Sequence, residues 1–237
     1  MQIKAVECHS KYLGLPAFVG RSKKQVFNFV QDRVWKKLKG WKEKFLSTAG
    51  REVLIKSVVQ VIPTYVMSCF LFQISLYEHI ESMISKFWWG SKQGERKIHW
   101  IKWETLCKEK KKGGIGFQTF HEFNLAMLSK QGWGIMHNDD LLISQCLKAR
   151  YFPRSNFLKA SAGYCPSYTW RSILQARVDV IEKAGIWRVG DGRLINVWED
   201  YWLPYQNGHK IWSPKPPNCD IMFVLDLIHH EDRKSVV

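Results

Sequence analysis

Residues 34–70 read VWKKLKGWKEKFLSTAGREVLIKSVVQVIPTYVMSCF, and the spacing of their apolar residues decides the fold class. Upstream, Ser22 is placed to cap a helix whose stripe runs Phe27, Val30, Val34, Leu38 at intervals of three and four. Gly40 is expected to weaken or break it, and Arg33, Lys36, Lys37 and Lys39 fall mainly off the stripe. Thr48 precedes a second helix burying Leu54, Ile55, Val58, Val59 and Ile62, which ends or kinks at Pro63. A third, Leu76 to Trp89, buries Ile80, Met83 or Ile84, and Phe87. The expectation is a mainly α protein opening on a small helical bundle with one basic outer face.

The basic character belongs to this half. Residues 1–112 hold 22 Lys and Arg against 9 Asp and Glu, a net +13 of the chain's +15, while residues 113–237 hold 14 against 12. A field of that sign attracts polyanions. With 237 residues and 46% hydrophobic content the chain can bury a real core, which excludes global disorder. The most apolar stretch, Val53 to Ile74, contains Lys56, Gln60, Pro63, Ser68 and Gln73, too interrupted for a spanning helix, so no membrane partner is expected. MQIKAVECHSKYLG lacks the continuous apolar segment of a secretory signal. Cys8, Cys69, Cys107, Cys146, Cys165 and Cys219 are never within four residues of each other, which argues against a zinc ribbon and for reduced structural thiols.

Farther along, KIHWIKWETLCKEKKKGGIGFQTF (97–120) leads through Lys108, Lys110, Lys111 and Lys112 into a glycine cluster. GGIGF lacks the Gly-Lys-Ser/Thr ending of a phosphate loop and reads as a tight turn. Helices are expected through Phe123, Met127, Lys130 and Trp133, over Leu141 to Tyr151, and over Tyr168 to Ala184. Asp191-Gly192 between two β-prone runs is the strongest hairpin signal, and from Tyr205 the composition reads as a loose connection.

Taken in order, KYLGLPAFVGRSKK, the quoted stretch, FWWG, KIHWIKWETLCKEKKKGGIGF, YFPRSNFL, SYTWRSI and IWRVGDGRLINVWEDYWLP resemble the carboxy-terminal part of plant non-LTR (LINE-type) retrotransposon reverse transcriptases, from about Ser10 to Pro204. That resemblance implies a palm-edge segment over 1–20, a basic thumb-like helical module over 21–112, a helical connection-like module over 113–185, a β-hairpin over 186–204 and a loose tail over 205–237. In the family the palm, with its Tyr-x-Asp-Asp hairpin and Mg2+, precedes the KYLG segment, and a Cys/His module and often a ribonuclease H domain follow WLP. The chain is therefore expected to be an excised middle with no catalytic residue, metal or cofactor of its own. Asp139-Asp140 is expected to cap a helix, and Glu199-Asp200 to be surface charge.

By the same resemblance Lys11 to Gly14 correspond to a hairpin touching the primer end, and the following helices to a thumb gripping RNA or DNA template-primer duplex. The expected contacts are Lys11, Tyr12, Lys23, Lys24, Lys36, Lys37, Lys39, Lys42, Lys44, Arg51, Lys56, Lys110, Lys111 and Lys112 against phosphates. Trp35 and Trp41 have two readings, stacking on an unpaired base or pinning helices to the core. The protein is expected to be intracellular, nuclear or cytoplasmic, with an organellar origin left open. A competing expectation is a decayed retroelement remnant, or a small interaction protein with no nucleic-acid role.

Overall fold

The computed structural model describes residues 11–17, 19–20, 22–42, 46–90, 98–193, 195–203, 209–217 and 219–228. The chain is mostly helical and divides into two compact units, one ending at Ile181 and one beginning at Glu182.

The first unit opens on an antiparallel pair, β1 (Lys11–Tyr12) and β2 (Leu15–Pro16). Leu13 and Gly14 both have positive φ, 48° and 79°, the backbone that a two-residue hairpin turn of matching twist requires. Helix α1 (Lys23–Lys42) follows and buries Phe27, Val30, Val34 and Leu38, each at 3% exposure or less. Burying each such side chain stabilises the fold by about 1.5–3 kcal/mol. That outweighs a glycine penalty of about 1 kcal/mol, so α1 runs through Gly40 rather than breaking there.

Helix α2 (Thr48–Leu54) is capped one residue before the expected position: the Ser47 hydroxyl accepts from the Gly50 N–H at 3.2 Å. A π-type turn, Ile55–Val59, carries Ile55 and Val59 inward, and after Pro63 the chain restarts as α3 (Thr64–Met67). Helix α4 (Ile74–Trp88) packs on α1 and buries Ile80, Ile84 and Phe87. The short α5 (Trp103–Cys107) leads to a 3-10 turn at Lys110–Lys112 and the glycine cluster. That cluster is a tight turn: Gly113 and Gly116 have positive φ, and a side chain at Gly114 would lie 1.9 Å from the Lys108 carbonyl oxygen.

A second cluster is built on α6 (Phe120–His137), α7 (Leu142–Tyr151) and α8 (Tyr168–Ala176), with Trp170 fully buried and stacked on Tyr151 and Phe152. The helical run expected up to Ala184 is present as α8, a π-type turn Arg177–Ile181 and a last turn Glu182–Ala184. Asn124 of α6 joins the two clusters. Its amide donates to the carbonyls of Met67 and Phe70, and its oxygen accepts from the Phe72 N–H and the Tyr77 hydroxyl.

In the second unit the Asp191-Gly192 turn forms, with Gly192 at φ 72° and the Asp191 carboxylate accepting from the Arg193 N–H. The hairpin expected over 186–204 does not form among the described residues. One bond does link the two sides of the turn, Trp187 N to Tyr201 O (2.7 Å), while Val197 N bonds to Met222 O (3.0 Å) and Val224 N to Ile195 O (2.9 Å), so that side of the turn pairs with a segment outside the span. A side chain on Gly192 would meet Leu225 N at 2.5 Å, so this turn is pressed against the chain's last described segment. Residues 219–228 are accordingly not a loose tail. Val224 is buried with Ile195 and Val197, and Trp187, Trp198 and Trp202 close over them.

Candidate nucleic-acid interface

Off the buried stripe α1 presents many positions to solvent, and the sequence fills several with cations. Lys24, Arg33, Lys36, Lys37 and Lys39 are all exposed. Lys24, Lys36 and Lys37 have no carboxylate partner among the described residues, and Asp32 stands among them as an exposed acid. Lys39 lies over the ring of Trp35, 4.9 Å from its centre. Trp35 is 48% exposed, whereas Trp41 turns into the core beside Phe87, with ring centres 6.1 Å apart. The two tryptophans therefore divide between the two readings: Trp35 offers a ring to solvent and Trp41 pins α1 to α4.

The β1–β2 hairpin adds to the same helix. Lys11 and Arg33 approach one ring, that of Phe29, at 5.5 and 5.3 Å. Tyr12 projects from the hairpin at 70% exposure, and the Tyr65 hydroxyl donates to the Leu13 carbonyl at 3.4 Å. Arg33 was absent from the expected contacts, although its place in the heptad-like spacing of α1 puts it off the buried stripe.

Other nominated cations are engaged inside the fold. Arg51 donates to the Trp88 carbonyl at 3.0 Å, closing the end of α4, and stands against Gly90, whose φ of 67° turns the chain there. Lys56 donates to the Ile115 carbonyl at 2.6 Å and to Glu52 at 2.8 Å, holding the glycine cluster against α2. Glu52 also receives Lys110 at 3.2 Å. These two lysines, Lys56 first, hold the Glu52 carboxyl below the usual carboxylate range. Lys110, Lys111 and Lys112 are exposed, with Lys112 3.7 Å from Glu109. The nominated residues thus fall into an outer face on α1 with the hairpin, a lysine turn around Glu52, and two buried-side anchors, Arg51 and Lys56. Lys42 ends α1, and Lys44 lies outside the described residues.

The adjacent aspartates do not fit a two-metal polymerase site. Asp139 is exposed and lies 3.2 Å from the Lys148 ammonium, which competes with a metal ion for that carboxylate. Neither aspartate caps α7. Its first position is preceded by Leu141 with no side-chain cap, and the Asn138 side chain accepts the Asp140 N–H in a local turn. Among the described residues no group of three or more His, Cys, Asp or Glu is placed to hold a metal ion. No helix among them is long and apolar enough to cross a membrane.

No family model matches the chain. It is 41% identical over 157 residues to the Arabidopsis thaliana "Uncharacterized mitochondrial protein AtMg00310", covering 66% of the chain and 97% of that relative. The chain belongs to the AtMg00310 family. The chain is also 32% identical over 223 residues to the Arabidopsis thaliana "Putative ribonuclease H protein At1g65750", covering 90% of the chain. That alignment takes in 35% of the second relative, so the chain spans about a third of its length.

Proposed function

We propose that the chain is the thumb and connection region of a plant non-LTR retrotransposon reverse transcriptase, and that it binds RNA or DNA, template-primer duplex in particular, without reading sequence. The observation that carries this reading is α1: one stripe buried to 3% exposure or less, with Lys24, Arg33, Lys36, Lys37 and Lys39 on the rest of its surface. Phosphate contacts need cations that are free to move onto a polyanion, and base identity does not matter to them. Lys36, Lys37 and Lys24 meet that need directly. Trp35, already covered on one side by Lys39, would stack on an unpaired base beside the duplex. Lys11 and Tyr12 on the hairpin would reach the strand end next to Arg33. Support from outside the chain comes from the relative named as a ribonuclease H protein, an activity that acts on nucleic acid.

The chain by itself is proposed to do no nucleotide chemistry, because Asp139 of the adjacent aspartate pair is engaged by Lys148 and no third carboxylate stands with the pair among the described residues. The test is fluorescence anisotropy of the full chain with labelled RNA–DNA hybrid, duplex DNA and single strands across a salt series. The reading expects saturable binding with little sequence preference and a steep loss with salt. Absence of saturable binding, or binding indifferent to salt, would refute it. Primer extension with magnesium or manganese is expected to give no product, and product that vanished in Asp139→Ala would refute the non-catalytic half.

A further inference from the structure

Apart from the outer face of α1, a second cationic feature lies where that helix begins. A half-open cleft of about 170 Å3 is lined by Lys23, Leu71, Tyr168, Arg171, Ser172 and Gln175. Its two cations come from different helices and converge on one ring: the Lys23 ammonium stands 4.8 Å, and the Arg171 guanidinium 6.0 Å, from the centre of Tyr168. Neither has a carboxylate partner among the described residues. Tyr168 supplies no balancing charge. Its hydroxyl donates to the Leu71 carbonyl, and burial pushes its ionisation up. The carboxylate nearest in the hydrogen-bond pattern, Asp179, takes the Gln175 amide at 2.8 Å.

The wall behind these cations is fixed. The Ser172 hydroxyl accepts from the Leu71 N–H at 3.0 Å and donates to the Tyr168 carbonyl at 2.8 Å. Tyr168 also stacks on Phe70 at 6.0 Å. Two like charges lining one cleft repel, and an anion seated in it removes that repulsion. A guanidinium presents paired donors suited to phosphate oxygens, and an ammonium adds a point charge. The cleft is several times the volume of a water molecule, enough for a phosphate group with some of its hydration.

We propose that Lys23 and Arg171, set on Tyr168, form a phosphate-binding cleft between α1 and α8. It rests on the nucleic-acid reading only for the source of its phosphate, a phosphodiester of a bound strand or a free phosphate. Arg171 comes from the nearly neutral half of the sequence, so the charge split between halves gave no sign of it.

The test uses the full chain in two arms. In the first, melting temperature is followed with inorganic phosphate against chloride at matched ionic strength. The wild type is expected to gain stability with phosphate by ligand linkage, Arg171→Gln and Lys23→Gln to lose most of that gain, and Arg171→Lys to keep part. In the second, the salt slope of duplex binding is measured, and Arg171→Gln is expected to lower it by about one. Loss of the phosphate effect together with the lower slope assigns the cleft a phosphodiester, and loss of the phosphate effect alone assigns it a free phosphate. If both glutamine variants keep the wild-type response in both arms, the cleft is overturned. Substituting Lys36 and Lys37 changes only the duplex arm, so failure of the α1 reading is seen separately from failure of this one.

Discussion

Lys56→Ala separates a lysine that binds nucleic acid from one that holds the protein together. The Lys56 ammonium makes a 2.6 Å bond to the Ile115 carbonyl and a 2.8 Å bond to Glu52, with its side chain 33% exposed and that of Glu52 25%. A hydrogen bond from a charged group contributes about 1.5–3 kcal/mol, and a partly exposed ion pair adds under about 1 kcal/mol. Taking the lower end for solvent access, the substitution should cost about 2 kcal/mol. For a protein of this size that lowers the melting temperature by roughly 4–8 °C. The pH dependence has a definite sign. The folded-state Glu52 carboxyl is lowered from its ordinary 4.5, so its contribution is present above that value and lost as pH falls through the folded one. Without Lys56 only Lys110 remains to lower it, so the gap between wild type and variant should narrow as pH falls. Circular dichroism melts from neutral to acid pH, alongside the salt slope of duplex binding, make the check. A melting temperature within about 1 °C of wild type with a slope reduced by about 0.9 would instead make Lys56 a phosphate contact.

Trp41→Ala should lower the melting temperature by about 5 °C or more, through loss of a half-buried ring against Phe87, with little intrinsic change in binding. Trp35→Ala should leave melting nearly unchanged and weaken single-strand binding by about 1–3 kcal/mol, and the opposite pattern would reverse the two roles. Asn124→Ala should cost at least about 3 kcal/mol, since it leaves the Met67 and Phe70 carbonyls, the Phe72 N–H and the Tyr77 hydroxyl without their partner; denaturant unfolding measures it. Glu81 accepts from the Phe120 N–H at 3.2 Å while burial, with Glu78 and Glu104 nearby, raises its ionisation above the ordinary 4.5. The folded state therefore holds that proton more tightly and loses stability as pH climbs from 4.5 through the folded value. Glu81→Gln should grow more stable relative to wild type over that window, and a pH-independent difference would contradict this.

The helices were readable where a side chain's fate is set by its neighbours three and four residues away. The stripe from Phe27 to Leu38 is buried as its spacing implies, and Ile80, Ile84 and Phe87 behave likewise. What could not be read depends on distant partners. Gly40 stays helical because Leu38 and Trp41 on either side pack inward, which outweighs its own weak propensity. Asp191-Gly192 makes its turn, but Trp187 and Val197 find Tyr201 and Met222 instead of each other. The same limit applies to the site. Residue type nominated Arg51 and Lys56 as phosphate contacts, and nothing local announced that Trp88, 37 residues away, and Ile115, 59 residues away, would take them. Lys36 and Lys37 could be placed on the outer face because that placement follows from the period of α1 alone.

In the proposed function the outer face of α1 lies along a phosphate backbone. The most direct measurement is the slope of log binding constant against log salt for duplex, in wild type and in Lys36→Gln/Lys37→Gln/Lys39→Gln, with unchanged helical circular dichroism as the control. Each lost contact should reduce a B-form DNA slope by about 0.9, so the triple variant should lose up to about 2.7. A slope that does not change on removing these three charges would place the interface elsewhere on the molecule.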